Sequence, residues 1–206
     1  SQRIQEDALR ILRFYRFHAY FSCGSPEPKS LEACKKNASL VGTLSGERIR
    51  EELFKILTSK NVCDTLELMQ DGSIFEKLFS AGVRLAELKA LLTLEREKTD
   101  PVLRLVTAFG IKPEILAIKL KLPNKVAAQL AFLNGTEISA NADSKSIKLL
   151  FYNYGVMQTL DFLMVKSALD EAIIKIYNYA LAISGDWKHP TFPITGSDIV
   201  SLGVPP

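Results

Sequence analysis

Cysteine is scarce and poorly spaced for chemistry. Three stand in 206 residues, Cys23, Cys34 and Cys63, an odd number without a Cys-x-x-Cys spacing. That argues against a disulfide framework and a zinc site, and leaves free, mostly buried thiols in a reducing cytoplasm. Histidine is scarcer still: His18 and His189 stand alone, with no His-Asp dipeptide, which argues against a metal phosphohydrolase. The aspartates fall at 7, 64, 71, 100, 143, 161, 170, 186 and 198, and no two lie two residues apart. The Asp-x-Asp arrangement that holds a pair of divalent ions is therefore missing. Gly24-Ser25 and Gly72-Ser73 are not followed by such a pair either. No segment approaches the ~18 uninterrupted apolar residues of a membrane span. β-Branched alternation is rare, so strands are not expected, and no repeat of fixed period appears.

What the chain does contain suits a soluble globular protein. Hydrophobic residues make up 47% and charged residues 24%, ordinary proportions for a packed domain. The net charge of +3 is only mildly basic, so nucleic-acid binding does not follow from charge alone. The length allows one large domain or two small ones.

The most informative stretch is residues 3–17, whose periodicity predicts one amphipathic helix. Ile4, Ala8, Ile11, Leu12, Tyr15 and Ala19 mark a buried face. Arg3, Glu6, Asp7, Arg10 and Arg13 gather on another side, with Arg16 beyond them. Asp7 and Arg10, three residues apart, share one helical surface. Aspartate offers only acceptors and arginine only donors. That pair complements a base edge with an acceptor ring nitrogen beside an exocyclic amino group. Cytosine and adenine present such an edge, whereas uracil and guanine present its reverse. Arg13 and Arg16 are placed to hold phosphate or the pair itself. A plainer reading competes: Arg3–Asp7 and Glu6–Arg10 as i, i+4 salt bridges on a solvated face.

The string Glu-Asp-x-x-Arg-x-x-Arg-x-x-Arg-Phe, from Glu6 to Phe17, resembles the nucleotide-selecting helix of bacterial CCA-adding tRNA nucleotidyltransferases and their poly(A) polymerase relatives. Leu44 to Leu53 resembles that family's second neck helix, and Phe192 to Pro205 resembles its tail segment. The resemblance implies that Asp7 and Arg10 read the base of CTP or ATP, that Arg13 and Arg16 support the pair or the triphosphate, and that Glu6 and Arg3 assist. It implies tRNA 3′ ends as the partner, with no DNA and no membrane. It also implies a catalytic head that binds Mg2+ and is absent from these residues. The chain then reads as a piece of a longer protein, expected to bind no metal itself: the neck (1–82), the body (83–140), and the body and tail (141–206). Its first residues belong to a helix and are charged, so no signal peptide is expected.

Along the rest of the chain, breakers and caps divide an all-α, elongated array of short helices. Ser30 is expected to cap a helix from Leu31, and Ser45 the next, where Arg48 and Arg50 are read as partners of Glu47, Glu51 and Glu52 rather than as RNA contacts. Met69 is read as core. A helix is expected from Val83 to Lys98 with Glu95 at its exposed end, and Asp100-Pro101 restarts the chain as N-cap and N1. Lys112, Lys119, Lys121 and Lys125 are placed either on tRNA phosphates or on a solvated face. Thr136 to Ser144 marks the best internal boundary. A helix is expected from Ala168 to Ile183, and Trp187 is expected to pin the loop after it. Tyr152, Tyr154, Tyr177 and Tyr179 are read as core or rim residues rather than base-stacking ones. Two further functions stand beside the main one: a poly(A)-adding relative, and a helical scaffold that binds a protein.

Overall fold

The computed structural model describes residues 2–21, 24, 26–95 and 99–191. Cys23 and the tail-like segment from Phe192 to Pro205 lie outside the described residues. The described residues form an all-α array without strands. The helices are α1 (Gln2–Glu6), α2 (Leu9–Phe21), α3 (Pro28–Lys36), α4 (Gly46–Leu57), α5 (Val62–Asp71), α6 (Ile74–Phe79), α7 (Leu85–Leu94), α8 (Pro101–Ala108), α9 (Pro113–Lys119), α10 (Asn124–Gly135), α11 (Ser144–Tyr154), α12 (Val156–Leu169) and α13 (Ile174–Ser184). Short 3-10 turns, Ala38–Thr43 and Glu171–Ile173, precede α4 and α13.

Local chemistry sets most of the starts. Asp100 accepts the Val102 N–H at 2.7 Å with Pro101 at the first helical position. Asp143 likewise accepts the Ser146 N–H at 2.8 Å and opens α11. Four boundaries depart from the periodicity. The expected single helix over residues 3–17 breaks at Asp7, whose carboxylate turns back to accept the Leu9 N–H at 3.1 Å and starts α2. Aspartate there gives up helix continuity for a cap. Helix α3 begins at Pro28 rather than Leu31, because Glu27, not Ser30, accepts the free N–H groups of Lys29 and Ser30. Helix α7 ends at Leu94, and Glu95 is partly buried against Arg104 rather than exposed. The expected helix over 168–183 is broken at Asp170, which accepts the Ala172 N–H at 3.0 Å.

Helix α8 sits at the centre, against α4, α7, α10 and α12, and is buried from Val102 to Ala108. Its apolar residues fill the interior and its one charge, Arg104, is paired with Glu95, while Phe109 beyond it packs edge-to-face with Phe75 and Phe79. Helix α2 packs on α4 and α5. Ile11, Leu12 and Tyr15 lie buried there among the core residues Leu53, Ile56, Leu57, Leu66 and Met69. The outer face of α2 is thereby left to the charged residues.

Candidate functional site

The break between α1 and α2 places Asp7 at a surface corner. Its backbone closes α1, with the Asp7 N–H donating to the Arg3 carbonyl at 3.4 Å, and its carbonyl accepts the Arg10 N–H at 3.1 Å. The carboxylate Oδ1 accepts two donors, the Leu9 N–H at 3.1 Å and Arg48 Nη2 at 2.9 Å. The Leu9 hydrogen bond, aided by the guanidinium of Arg48 and the charge of Arg13, holds the Asp7 carboxyl below the ordinary aspartate range against a smaller desolvation effect. It is ionised at neutral pH. Its side chain keeps 31% of its accessible surface, so a ring can approach it.

Arg10 and Arg13 are exposed, and neither forms a salt bridge among the described residues. Arg3 and Glu6 are exposed on α1. The i, i+4 pairs of the plainer reading, Arg3–Asp7 and Glu6–Arg10, are absent among the described residues: the turn that would align them is interrupted, and Asp7 pairs across to α4 instead. Arg16 differs from the other arginines. It donates to Glu52 Oε1 at 3.2 Å and lies over the Phe17 ring at 4.7 Å. Glu52 is buried, so this pair joins α2 to α4.

The residue that sequence reasoning misassigned is Arg48. The expected partners on α4 are not the ones formed. Arg48 reaches Asp7, Arg50 donates to the carbonyls of Leu120 and Lys121, Glu47 pairs with Lys121 at 3.0 Å, and Glu52 takes Arg16. Only a pairing 41 residues away in sequence connects Arg48 with Asp7, and local spacing carries no signal for it. The arrangement can present a fixed acceptor beside exposed planar donors, the pattern that a cytosine or adenine edge complements.

The remaining candidates scatter. Lys112 and Lys125 are exposed, Lys119 donates to the Leu78 carbonyl at 2.9 Å, and Lys121 is taken by Glu47. Tyr177 is buried; Tyr152 stacks on His189 with centroids 4.6 Å apart, and Tyr179 bonds Ser144 at 2.7 Å. Trp187 packs edge-on against Phe151 and so pins its loop. Among the described residues no three His, Cys, Asp or Glu side chains come together to hold a metal ion, and no helix is long and apolar enough to cross a membrane.

Comparison with known proteins bears on the family and the fold. A family model described as the probable RNA and SrmB-binding site of polymerase A matches residues 25–83, from α3 to the residue before Arg84. The human mitochondrial CCA tRNA nucleotidyltransferase 1 is 29% identical over 215 residues, covering 99% of this chain and 49% of that protein. The chain thus spans about half the length of the curated relatives it matches first. Among solved structures, the Thermotoga maritima CCA-adding enzyme complexed with tRNA superposes with a TM-score of 0.64 at 16% identity, over 98% of this chain and 54% of that one. The Bacillus stearothermophilus CCA-adding enzyme in complex with CTP gives 0.59 at 21% identity, over 100% and 54%. At those identities the structural likeness establishes the fold.

Proposed function

Taking as premise that this chain is a C-terminal part of the CCA-adding and poly(A) polymerase family, as the family model and the relatives support, we propose that it selects the nucleotide and grips tRNA for a nucleotidyltransferase that adds C and A to tRNA 3′ ends. The observation that carries this reading is the Asp7 carboxylate, ionised and partly accessible at the start of α2, a helix on which Arg10 is exposed and forms no salt bridge among the described residues. Asp7 accepts the exocyclic amino group of CTP or ATP, and Arg10 donates to the adjacent ring nitrogen. Uracil and guanine turn a ring N–H toward Arg10 and a carbonyl toward Asp7, which sets donor against donor and acceptor against acceptor. Arg13, exposed one turn on, meets the triphosphate. Arg16, through Glu52, keeps α2 seated on α4, and Arg3 and Glu6 flank the site from α1. Residues 1–82 serve as the neck, 83–140 as the body and 141–206 as body and tail. The similar structures, which contain CTP and tRNA, support the ligand classes.

Bond formation needs more than these residues. The Mg2+ ions of nucleotidyl transfer need clustered carboxylates, and the described residues of this chain do not supply them. On this reading the ions belong to a catalytic head elsewhere in a longer protein, and this chain does not catalyse alone. We place that protein in the cytoplasm, since Cys34 and Cys63 are free thiols, the form a reducing compartment maintains.

The polymerase A description of the family model favours one second reading, a protein that adds A only. Extension of a tRNA lacking its 3′ end, by the longer protein containing this chain, separates the two. Addition of C, C and A supports the first reading, and A tails without C overturn it. In the same assay Arg10→Ala is expected to cost about 1–3 kcal/mol of discrimination between CTP and UTP, the worth of one base-reading pair.

A further inference from the structure

Helix α2 contains no carboxylate from Leu9 to Phe21, and its outer surface is not uniformly polar. Arg10, Arg13, Phe17, Tyr20 and Phe21 follow at i, i+3, i+7, i+10 and i+11, which sets them along one face of the helix. The three rings are bare: Phe17 is 52% exposed, Tyr20 50% and Phe21 76%. They also touch one another. Phe17 and Phe21 have centroids 6.1 Å and planes 30° apart, and Tyr20 and Phe21 stand at 6.3 Å and 45°. Two of the rings are held from the α4 side. Arg16, anchored on the buried Glu52, lies over Phe17 at 4.7 Å, and the Tyr20 hydroxyl donates to the Lys55 carbonyl at 3.0 Å. Glu52 is already taken, by Arg16 at 3.2 Å and by Lys55 at 3.9 Å. The rings are therefore fixed, exposed and bordered by cations.

An exposed apolar patch marks a surface that meets something else, and here the border decides what. A purely apolar partner would cover the rings and leave the guanidinium groups of Arg10 and Arg13 without a counter-charge. An unpaired nucleic-acid strand supplies both complements, base faces for the rings and phosphates for the arginines. A duplex keeps its base faces stacked inside and offers only the phosphates. Arg13 and Phe21 are eight residues apart, about 12 Å along a helix that rises ~1.5 Å per residue. That length suits about three to four nucleotides at ~3.4 Å each.

We propose that Phe17, Tyr20 and Phe21 form a stacking platform for an unpaired RNA 3′ strand, with Arg13 and Arg16 bordering the path of its phosphates. The proposal rests on the reading of Asp7 and Arg10 as the nucleotide site, because that site sets the direction of the strand: its end reaches the corner between α1 and α2, and the preceding bases lie toward Phe21. The platform offers ring faces rather than base-reading donors and acceptors, since the Tyr20 hydroxyl is engaged by Lys55 and Thr58. It holds the strand without choosing its sequence.

The test uses the 206-residue chain, a five-nucleotide single-stranded RNA carrying 2-aminopurine, and a blunt duplex of the same strand. No nucleotide triphosphate is present. Affinity is read by fluorescence anisotropy of a labelled strand, and stacking by quenching of the 2-aminopurine. The single strand is expected to bind more tightly than the duplex and to be quenched. Phe17→Leu and Phe21→Leu alter exposed rings and no charge, so the circular dichroism should stay unchanged. Each is expected to weaken the single strand about tenfold and to relieve the quenching, while the dependence of affinity on salt keeps its slope. A duplex bound as tightly as the single strand, no quenching in the parent chain, or unchanged affinity in the double variant Phe17→Leu with Phe21→Leu overturns the proposal. Failure of the underlying reading shows elsewhere: with RNA absent, the parent chain would have no preference for CTP over UTP.

Discussion

Arg104 is a full positive charge in the middle of the core. It lies 6% exposed on α8, surrounded by Val102, Leu103, Leu105 and Val106. Such a charge is tolerable only when every donor is used. Arg104 donates to the carbonyls of Leu57 and Ser59 and, in a fork, to both oxygens of Glu95 at 2.7 and 2.5 Å. Arg104→Met strands Glu95 in the interior and is expected to cost about 3–5 kcal/mol, measured by urea unfolding. Removing Glu95 as well, as Glu95→Leu with Arg104→Met, should recover most of that loss. A second expectation concerns acid. Asp7, Glu27, Glu47 and Asp143 each have a carboxyl held below its ordinary range, by helix N–H groups, hydroxyls and nearby cations. A depressed folded-state value means stability that is complete above the unfolded-state value, about 4, and is lost as pH falls through the folded one. Because all four carboxyls lie at the surface and are screened by solvent, thermal unfolding should be flat from pH 7 to 5 and fall only modestly below 4. The Asp100 cap was legible in sequence because its chemistry spans two residues. The Arg104–Glu95 pair was not: both read locally as solvated charges, and only the packing of α7 on α8 buries them.

Among the elements, some starts fall where turn chemistry is expected to put them, whereas the local caps at Asp7, Glu27 and Asp170 shift or break helices that the periodicity alone runs through. Helices α4, α8 and α10 start at Ser45-Gly46, Asp100-Pro101 and Pro123-Asn124, as turn chemistry dictates. The interruptions at Asp7 and Asp170 escape a periodicity reading because the apolar rhythm runs straight through them. The same holds for the site. Asp7, Arg10 and Arg13 could be singled out from one helical surface, whereas Arg48 arrives from α4 and is visible only after folding. Helix start and tertiary contact meet at Asp100, which caps α8 through one oxygen and takes Gln129 of α10 on the other at 2.8 Å. Asp100→Ala should therefore cost more than an isolated cap, about 2 kcal/mol. Asp100→Asn should restore part of it by retaining the cap acceptor. Equal losses from both variants would show that the charge, not the cap, matters.

At the scale of the molecule, buried residues from Ile4 to Ala180 join in one hydrophobic cluster. Helix α12 packs on α7 and α8, so the later helices share the core of the earlier ones. Trp187, edge-on to Phe151, reports the far end of that cluster. Its fluorescence and the helical circular dichroism should lose structure together in urea; separated transitions would mean that the two ends unfold independently. The exposed arginines of α2 lie at the other end, on a surface the core leaves free. What they do there is tested most directly by titrating the 206-residue chain with CTP, ATP, UTP and GTP while following the backbone amides of Leu9 and Arg10 by NMR. The account predicts that CTP and ATP shift both amides, that UTP and GTP shift neither to a comparable extent, and that Asp7→Ala abolishes the difference. Equal shifts with all four nucleotides, or a preference that survives Asp7→Ala, would contradict it.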